Sequence, residues 1–267
     1  MKQKIKVVFF GSFGEFSKVY LRALKESNFD IVLAIEDKKA NFVEIKGKME
    51  QTKPDLGVIA YFGAIIPKEV LKIPKYGFIN IHPSLLPRWR GPSPIQNAIL
   101  AGNKTTGITI HLTTDKIDAG DILTQKEILI LPDDTCATLT ERLADEGAKL
   151  LTETIPGWIK GNIIPRAQNE SKATFTKIIK KGDGLIDWSK SPEYIERMVR
   201  AYNPWPGTYT KFETTNSKSE TIQKILKIKK VEIIDGKLKI ITVQPEGKKD
   251  MPYEAFLRGH KNLVLGD

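Results

Sequence analysis

Apolar positions follow two different periods along this chain of 267 residues, and the change between them marks its architecture. Ile5 to Phe10 is a short apolar run that predicts a buried parallel strand, and Phe16 to Ser27 has the helical spacing of the element after it. Asp30 to Ile35 and Leu56 to Ala60 predict further buried strands, with a helix from Asn41 to Gln51 between them. Phe78 to Ile81 predicts another, ended by Pro83, which has no N–H to give to a ladder. A Pro- and Gly-rich loop and a helix from Ser93 to Ala101 follow. Thr106 to Thr113 and Asp121 to Leu131 alternate more clearly, as antiparallel strands at one side of a sheet do. Asp134-Thr135 can cap a long helix running towards Lys160.

From Gly161 to Ser189 the chain is irregular, polar and glycine-containing, and predicts a linker. Pro192 to Ala201 predicts one helix, and after Pro206 short alternating strands with Lys-rich turns take over, as in Lys224 to Ile234 and Lys237 to Val243. The expectation is an α/β fold with an open, mostly parallel, Rossmann-like sheet over residues 1–160, a linker over 161–190, and a smaller β domain over 191–267. No internal repeat or low-complexity tract interrupts it. The Gly11-Ser12-Phe13-Gly14 turn after the first strand lacks the third glycine of a dinucleotide fingerprint, which argues against nucleotide binding there.

Composition narrows the class. A single cysteine, Cys136, excludes internal disulfides and suits a reducing cytoplasm. No apolar run approaches the roughly 20 residues that span a bilayer, and the charged opening, with its short Val7 to Phe10 run, does not make a signal peptide. The expectation is a cytoplasmic protein without a membrane partner. The net charge is +10, of which +7 lies from Gly161 onward, where 20 Lys and Arg face 13 Asp and Glu. Lys224, Lys227, Lys229 and Lys230 concentrate that excess, which fits either a polyanionic partner or a solvated lysine-rich surface.

Candidate chemistry centres on Asn80-Ile81-His82-Pro83 and, further on, Asp118-Ala119-Gly120-Asp121. Strand alternation sends Asn80 and His82 to the same face at the carboxyl end of their strand, where open α/β sheets bind ligands. An amide and an imidazole side by side can donate to one developing oxyanion, as acyl transfer needs. A carboxylate beside that histidine would raise its pKa, fix its tautomer, and take a proton directly or through water. No Ser or Cys nucleophile is required if the attacking group arrives with the substrate. Taken alone, an Asn-x-His can also be a turn former beside a core histidine.

A resemblance decides between these. Asn80 to Gly91 (Asn-Ile-His-Pro-Ser-Leu-Leu-Pro-Arg-Trp-Arg-Gly), Pro94-Ile95-Gln96, Thr106 to Thr109 and Asp118 to Asp121 resemble, in order and spacing, the 10-formyltetrahydrofolate-dependent formyltransferases, through about residue 160. Tyr61 to Pro67, Asp187-Trp188, Ala201 to Gly207 and Val243 to Met251 are similar to the branch that formylates methionyl-initiator-tRNA. The resemblance implies a formyl donor, 10-formyltetrahydrofolate, with no metal, and an OB-like barrel as the C-terminal domain. It implies Asn80, His82 and Asp118 as catalytic, the first two at the oxyanion and the third managing the proton. Asp118 is preferred to Asp121, a turn carboxylate, and Asp115 is expected to be a loop residue. Ser84, Leu85, Leu86, Pro87, Ile65 and Ile66 are expected around the folate, and Arg88, Trp89 and Arg90 against the tRNA or the folate tail. His111 is expected to be a core histidine and His260 a surface one. The protein is expected to act as a monomer.

Two departures bear on the acceptor. Glu36 to Lys53 is far shorter than the basic insertion usual in that branch, and the C-terminal barrel is abbreviated. Formyltransferases of nucleotide-linked amino sugars share the same core residues and are the alternative. Formylation of a purine precursor comes third, and a nucleic-acid-binding module with an inert core is the reading from a different class.

Overall fold

The computed structural model describes residues 4–12, 14–215, 221–260, 263 and 265. Phe13 of the first turn lies outside the described residues. Four strands, β1 (Lys6–Phe10), β2 (Asp30–Ile35), β3 (Leu56–Ala60) and β4 (Phe78–His82), run parallel, and β5 (Thr105–Leu112) and β6 (Ile122–Leu129) complete the sheet antiparallel. The order is β2-β1-β3-β4-β5-β6, so β3 and β4, buried along most of their length, lie at its middle. The connecting helices are α1 (Gly14–Glu26), α2 (Phe42–Thr52), the single turn α3 (Lys68–Leu71) and α4 (Pro94–Leu100), and α5 (Cys136–Ile159) follows β6. On one face of the sheet Phe10 meets Phe62 and Phe78 edge-on at 5.2 and 5.5 Å, within a cluster that includes Val8, Ile35, Ile45, Met49, Ile59 and Ile66. Gly11 is required by close packing: a Cβ there would stand 2.7 Å from the Phe9 ring and 2.8 Å from Ser17 Cβ, where α1 leaves the sheet.

The chain makes two compact units, one of Met1–Pro94, Thr105–Leu129 and Leu139–Lys177, the other of Ile95–Lys104, Ile130–Thr138 and Ile178–Asp267. The stretch 161–190, expected as a linker, is divided between them at Lys177. In the second unit α6 (Pro192–Ala201), capped by the Ser191 hydroxyl, packs on an antiparallel sheet of β7 (Thr208–Thr215), β8 (Thr221–Ile234), β9 (Lys237–Pro245) and β10 (Met251–Pro252), in the order β10-β9-β8-β7. Where the resemblance implies an OB-like barrel, the described strands form this four-stranded sheet. Along β8, buried Leu226 and Ile228 alternate with exposed Lys227 and Lys229, and a register shift before Val231 leaves Lys230 exposed as well. The short helix α7 (Tyr253–Arg258) follows β10, and His260 after it stacks on Phe256 at 4.2 Å, half-buried where a surface position was expected.

Candidate active site

Alternation along β4 does what the sequence predicts. Ile79 and Ile81 are buried on one side, and Asn80 and His82 share the other at the carboxyl end of the strand. Antiparallel pairing with β5 then sets His111 opposite Asn80 and Thr109 opposite His82. Cross-strand neighbours on one face are close enough to touch, so β5 brings a second imidazole to the same place. The His82 and His111 ring centroids are 6.4 Å apart.

Asp118 comes from the loop between β5 and β6 and sits among these groups, its side chain only 13 % exposed. Its Oδ1 accepts from Asn80 Nδ2 at 3.3 Å, and its Oδ2 accepts from the Gly91 N–H at 2.8 Å. His82 Nδ1 lies 3.5 Å from Oδ2, and His111 Nε2 lies 3.7 Å from Oδ1. The backbone of Asp118 is left-handed, with φ at 48°, a conformation that aspartate adopts more readily than most side chains. Gln168 holds the turn: its Nε2 donates to Asp118 O at 2.8 Å and to Gly120 O at 2.7 Å.

The loop after β4 is fastened from both sides. Thr109 Oγ1 donates to Ser84 O and accepts from Leu86 N, while Gln125 Nε2 donates to Leu86 O. The Ser84 hydroxyl donates to Arg88 O at 2.6 Å. On the other side Arg90 N donates to Thr174 O and Thr176 N to Arg90 O, a short parallel bridge 80-odd residues along the chain. Trp89 has φ at 63°, a strained value for a bulky residue, and its N–H is taken by Thr174 Oγ1. That conformation aims Trp89 O at His82 Nε2, 2.9 Å away. A carbonyl only accepts, so His82 Nε2 carries the hydrogen and Nδ1 turns its lone pair towards Asp118.

The electrostatics follow from burial and neighbours. Burial, the largest influence on His82, lowers its pKa below 6.5 and outweighs the Asp118 charge that raises it, with His111 adding to the lowering. The sequence-based expectation of a raised histidine is thus reversed, because His82 is almost wholly enclosed. Burial alone would push Asp118 upward. The charge of His82, the approach of His111 and the Gly91 N–H together overcome it and hold the carboxyl down at about 2. Asp118 is therefore a carboxylate at neutral pH. Among the described residues no three His, Cys, Asp or Glu side chains are arranged to hold a metal ion.

Asn80, His82 and Asp118 thus meet at one point. His82 as placed has Nε2 committed to Trp89 O and Nδ1 facing Asp118, which leaves Asn80 as the free amide donor towards a reacting oxygen. The loop residues divide. Ser84, Leu86 and Ile66 are buried and hold the fold with their side chains, whereas Ile65 is 88 % exposed and Leu85 and Pro87 are half-buried. Arg88 is exposed and lies over the Trp89 ring at 5.5 Å. Arg90 is not at the surface. It is 2 % exposed, and its guanidinium is engaged by Gln168 and by both oxygens of Glu170, so its side chain anchors the 166–176 segment rather than meeting a ligand. Asp121 and Asp115 are peripheral, exposed, the latter paired with Lys68 at 2.9 Å. Gln168 is a contributor that sequence reasoning passed over, and His111, expected as a core histidine, is buried but stands beside Asp118. Same-face alternation with Thr109 on a strand pairing with β4 was the available signal for His111.

The formyl transferase family model matches residues 34–155, and the model of the formyl transferase C-terminal domain matches residues 178–261. The methionyl-tRNA formyltransferase of Bacillus subtilis (strain 168) is 42 % identical over 249 residues, covering 87 % of this chain and 78 % of the relative. That of Bacillus thuringiensis subsp. konkukian is 37 % identical over 303 aligned positions, covering 96 % of each chain; the alignment exceeds this chain's length, so the relative has segments this chain lacks. In fold, the chain matches the methionyl-tRNA formyltransferase of Clostridium thermocellum with a TM-score of 0.67 and 20 % identity, over 90 % of this chain and 98 % of that one. It matches HypX from Aquifex aeolicus in complex with tetrahydrofolic acid with a TM-score of 0.72 and 18 % identity, over 99 % of this chain but about half (49 %) of HypX. With identities of this size running across nearly the whole length, this chain belongs to the methionyl-tRNA formyltransferase family.

Proposed function

We propose that the protein transfers the formyl group of 10-formyltetrahydrofolate to the α-amino group of methionyl-initiator-tRNA, in the cytoplasm, as a monomer. The observation that carries the chemistry is the convergence of Asn80, His82 and Asp118, with Asp118 Oδ1 3.3 Å from the Asn80 amide nitrogen and Oδ2 3.5 Å from His82 Nδ1. The donor supplies an activated one-carbon acyl group on a nitrogen leaving group. The residues fit such a ligand: an amide with one N–H still to give, a buried imidazole nitrogen without a partner at His111, and the exposed Ile65 and Ile117 on loops that Lys68 and Asp115 clip together.

The acceptor amine has a free pKa near 7.7–8, so part of it is already the neutral nucleophile at pH 7. Its nitrogen lone pair attacks the formyl carbon, a C–N bond forms, and the carbonyl pair moves to oxygen. Asn80 donates its second amide hydrogen to that oxygen, where an oxyanion contact has most effect because the donor is already fixed. The proton leaving the attacking nitrogen goes to the Asp118 cluster, directly or through water. Collapse breaks the bond from carbon to N10, N10 takes a proton, and formylmethionyl-tRNA and tetrahydrofolate separate. Arg88 and Trp89 suit the tRNA end or the folate tail, since a guanidinium over an aromatic ring offers both charge and a stacking face. We assign the chemistry to the 1–160 region and acceptor binding in part to 191–267. The test is tetrahydrofolate release on mixing the protein and donor with methionyl-initiator-tRNA, and in parallel with nucleotide-linked amino sugars. Turnover with the tRNA is expected. Turnover with a sugar alone would overturn the acceptor while leaving the mechanism standing.

A further inference from the structure

Two backbone carbonyls dictate the tautomers at this site. Trp89 O fixes the hydrogen of His82 on Nε2, and Leu112 O, 2.9 Å from His111 Nδ1, fixes that of His111 on Nδ1. With both rings neutral, two bare nitrogen lone pairs, His82 Nδ1 and His111 Nε2, point at the two oxygens of a carboxylate from 3.5 and 3.7 Å. Three acceptors then face one another with no hydrogen among them on these paths. His111 Nε2 has no partner within hydrogen-bond distance although the residue is only 2 % exposed, so a buried lone pair is left facing the carboxylate. One added proton resolves it, by turning a repulsive contact into a charge-assisted hydrogen bond.

Resting on the formyl-transfer reading, we propose that His111 Nε2 is the station that holds the proton released by the attacking amine, as an imidazolium paired with Asp118. The alternatives within the cluster are worse. Asp118 accepts the Gly91 N–H and the Asn80 amide, both of which favour its ionised form. His82 is enclosed on β4 and already spends its hydrogen on Trp89 O. The charged or titratable groups that face His111 are Asp118 from the β5–β6 loop and His82 from β4; Asn80, its cross-strand neighbour, is neutral. The proton path balances: the amine nitrogen loses one proton as the C–N bond forms, His111 gains it, and the same proton is available to N10 as the bond from carbon to N10 breaks. His111 acts through Asp118 and is thus a positioning residue.

Two measurements test this. The first is nitrogen NMR of histidine-labelled free enzyme, which reads the tautomer of each ring. The hydrogen is expected on Nδ1 of His111 and on Nε2 of His82, leaving the His111 Nε2 lone pair open towards Asp118. A His111 that carries its hydrogen on Nε2, and so already donates to Asp118, overturns the proposal without any substrate present. The second is the pH profile of His111→Gln, whose amide can still donate to Asp118 but cannot hold a proton. Its kcat is expected to drop about 10²-fold, with KM unmoved and the acid limb of the profile displaced. A wild-type profile in His111→Gln overturns the proton role and leaves only a hydrogen bond. If the tautomers are as expected but no acceptor is formylated, the open lone pair at His111 stands and the formyl-transfer reading falls.

Discussion

At the scale of single residues, the proposed mechanism separates hydrogen-bond donation from proton holding. Asn80 gives one amide hydrogen to Asp118, and the proposal assigns the other to the reacting oxygen. Asn80→Ala is expected to lower kcat by roughly 10²–10³, as loss of one fixed oxyanion donor does, and to change KM little. Steady-state formylation measures this, and an unchanged kcat would remove Asn80 from the mechanism. The shifted groups also predict a pH dependence of stability. His82 has a folded pKa below 6.5, so as pH falls through the unfolded value near 6.5 the unfolded chain takes up a proton that the folded chain refuses, and stability drops. Asp118, held at about 2, contributes stability that is complete above its usual 3.8 and lost as pH falls towards 2. Melting temperatures from pH 7 down to pH 4 should therefore decline more steeply in wild type than in His82→Gln. Parallel curves would show that burial of His82 does not set the slope.

At the scale of elements, what could be read from sequence was what one element decides alone. The continuous apolar runs of β1, β3 and β4 and the same-face placement of Asn80 and His82 are period-two facts. The single turn α3 (Lys68–Leu71) is too short to show a period. Asp118 was identified through resemblance, since no periodicity marks a loop residue with φ at 48°. His111 looked like a core histidine because its burial is legible and its register opposite Asn80 is not. Arg90 looked like a surface cation because Gln168 and Glu170, its partners, lie nearly 80 residues away in what read as a linker. The β5–β6 loop is where these threads meet, and Gly120 tests it. A Cβ there would fall 1.7 Å from Leu112 O, the carbonyl that orients His111, and the Gly120 carbonyl is itself held by Gln168. Gly120→Ala is expected to lower kcat by tenfold or more and to destabilise by about 1–3 kcal/mol, the range for overpacking at a tight contact. Gly47→Ala, in α2 with nothing within 4 Å, is expected to be neutral or to stabilise by about 0.5–1 kcal/mol. Urea melts of the pair, with kcat for each, check both; a harmless Gly120→Ala would mean the loop can shift without moving Asp118.

At the scale of the whole molecule, the question is what the charge of +10 does. Asn80, His82 and Asp118 lie in the unit of the six-stranded sheet, while Lys224, Lys227, Lys229 and Lys230 line β8 in the other, exposed beside buried Leu226, Ile228 and Val231. Alternation forces the exposure of Lys227 and Lys229 whatever the function, because a strand that buries one face presents the other to water. The charge excess alone thus does not distinguish a solvated face from a nucleic-acid contact. Salt dependence does. If β8 lysines neutralise tRNA phosphates, log Kd for methionyl-tRNA should change linearly with log salt, and Lys227→Glu with Lys229→Glu should flatten the slope by about 0.7–0.9 for each contact removed. Reversing the charge should weaken tRNA binding at low salt and leave kcat at saturating tRNA as it was, since neither side chain belongs to the catalytic unit. Lys230 is the internal control: it already pairs with Glu232 at 2.9 Å, so Lys230→Ala should move the slope less than either neighbour. A slope that survives the double reversal would assign the phosphate contacts elsewhere, first to exposed Arg88 beside the Trp89 ring, where loss of the side chain should then reduce both the slope and the rate.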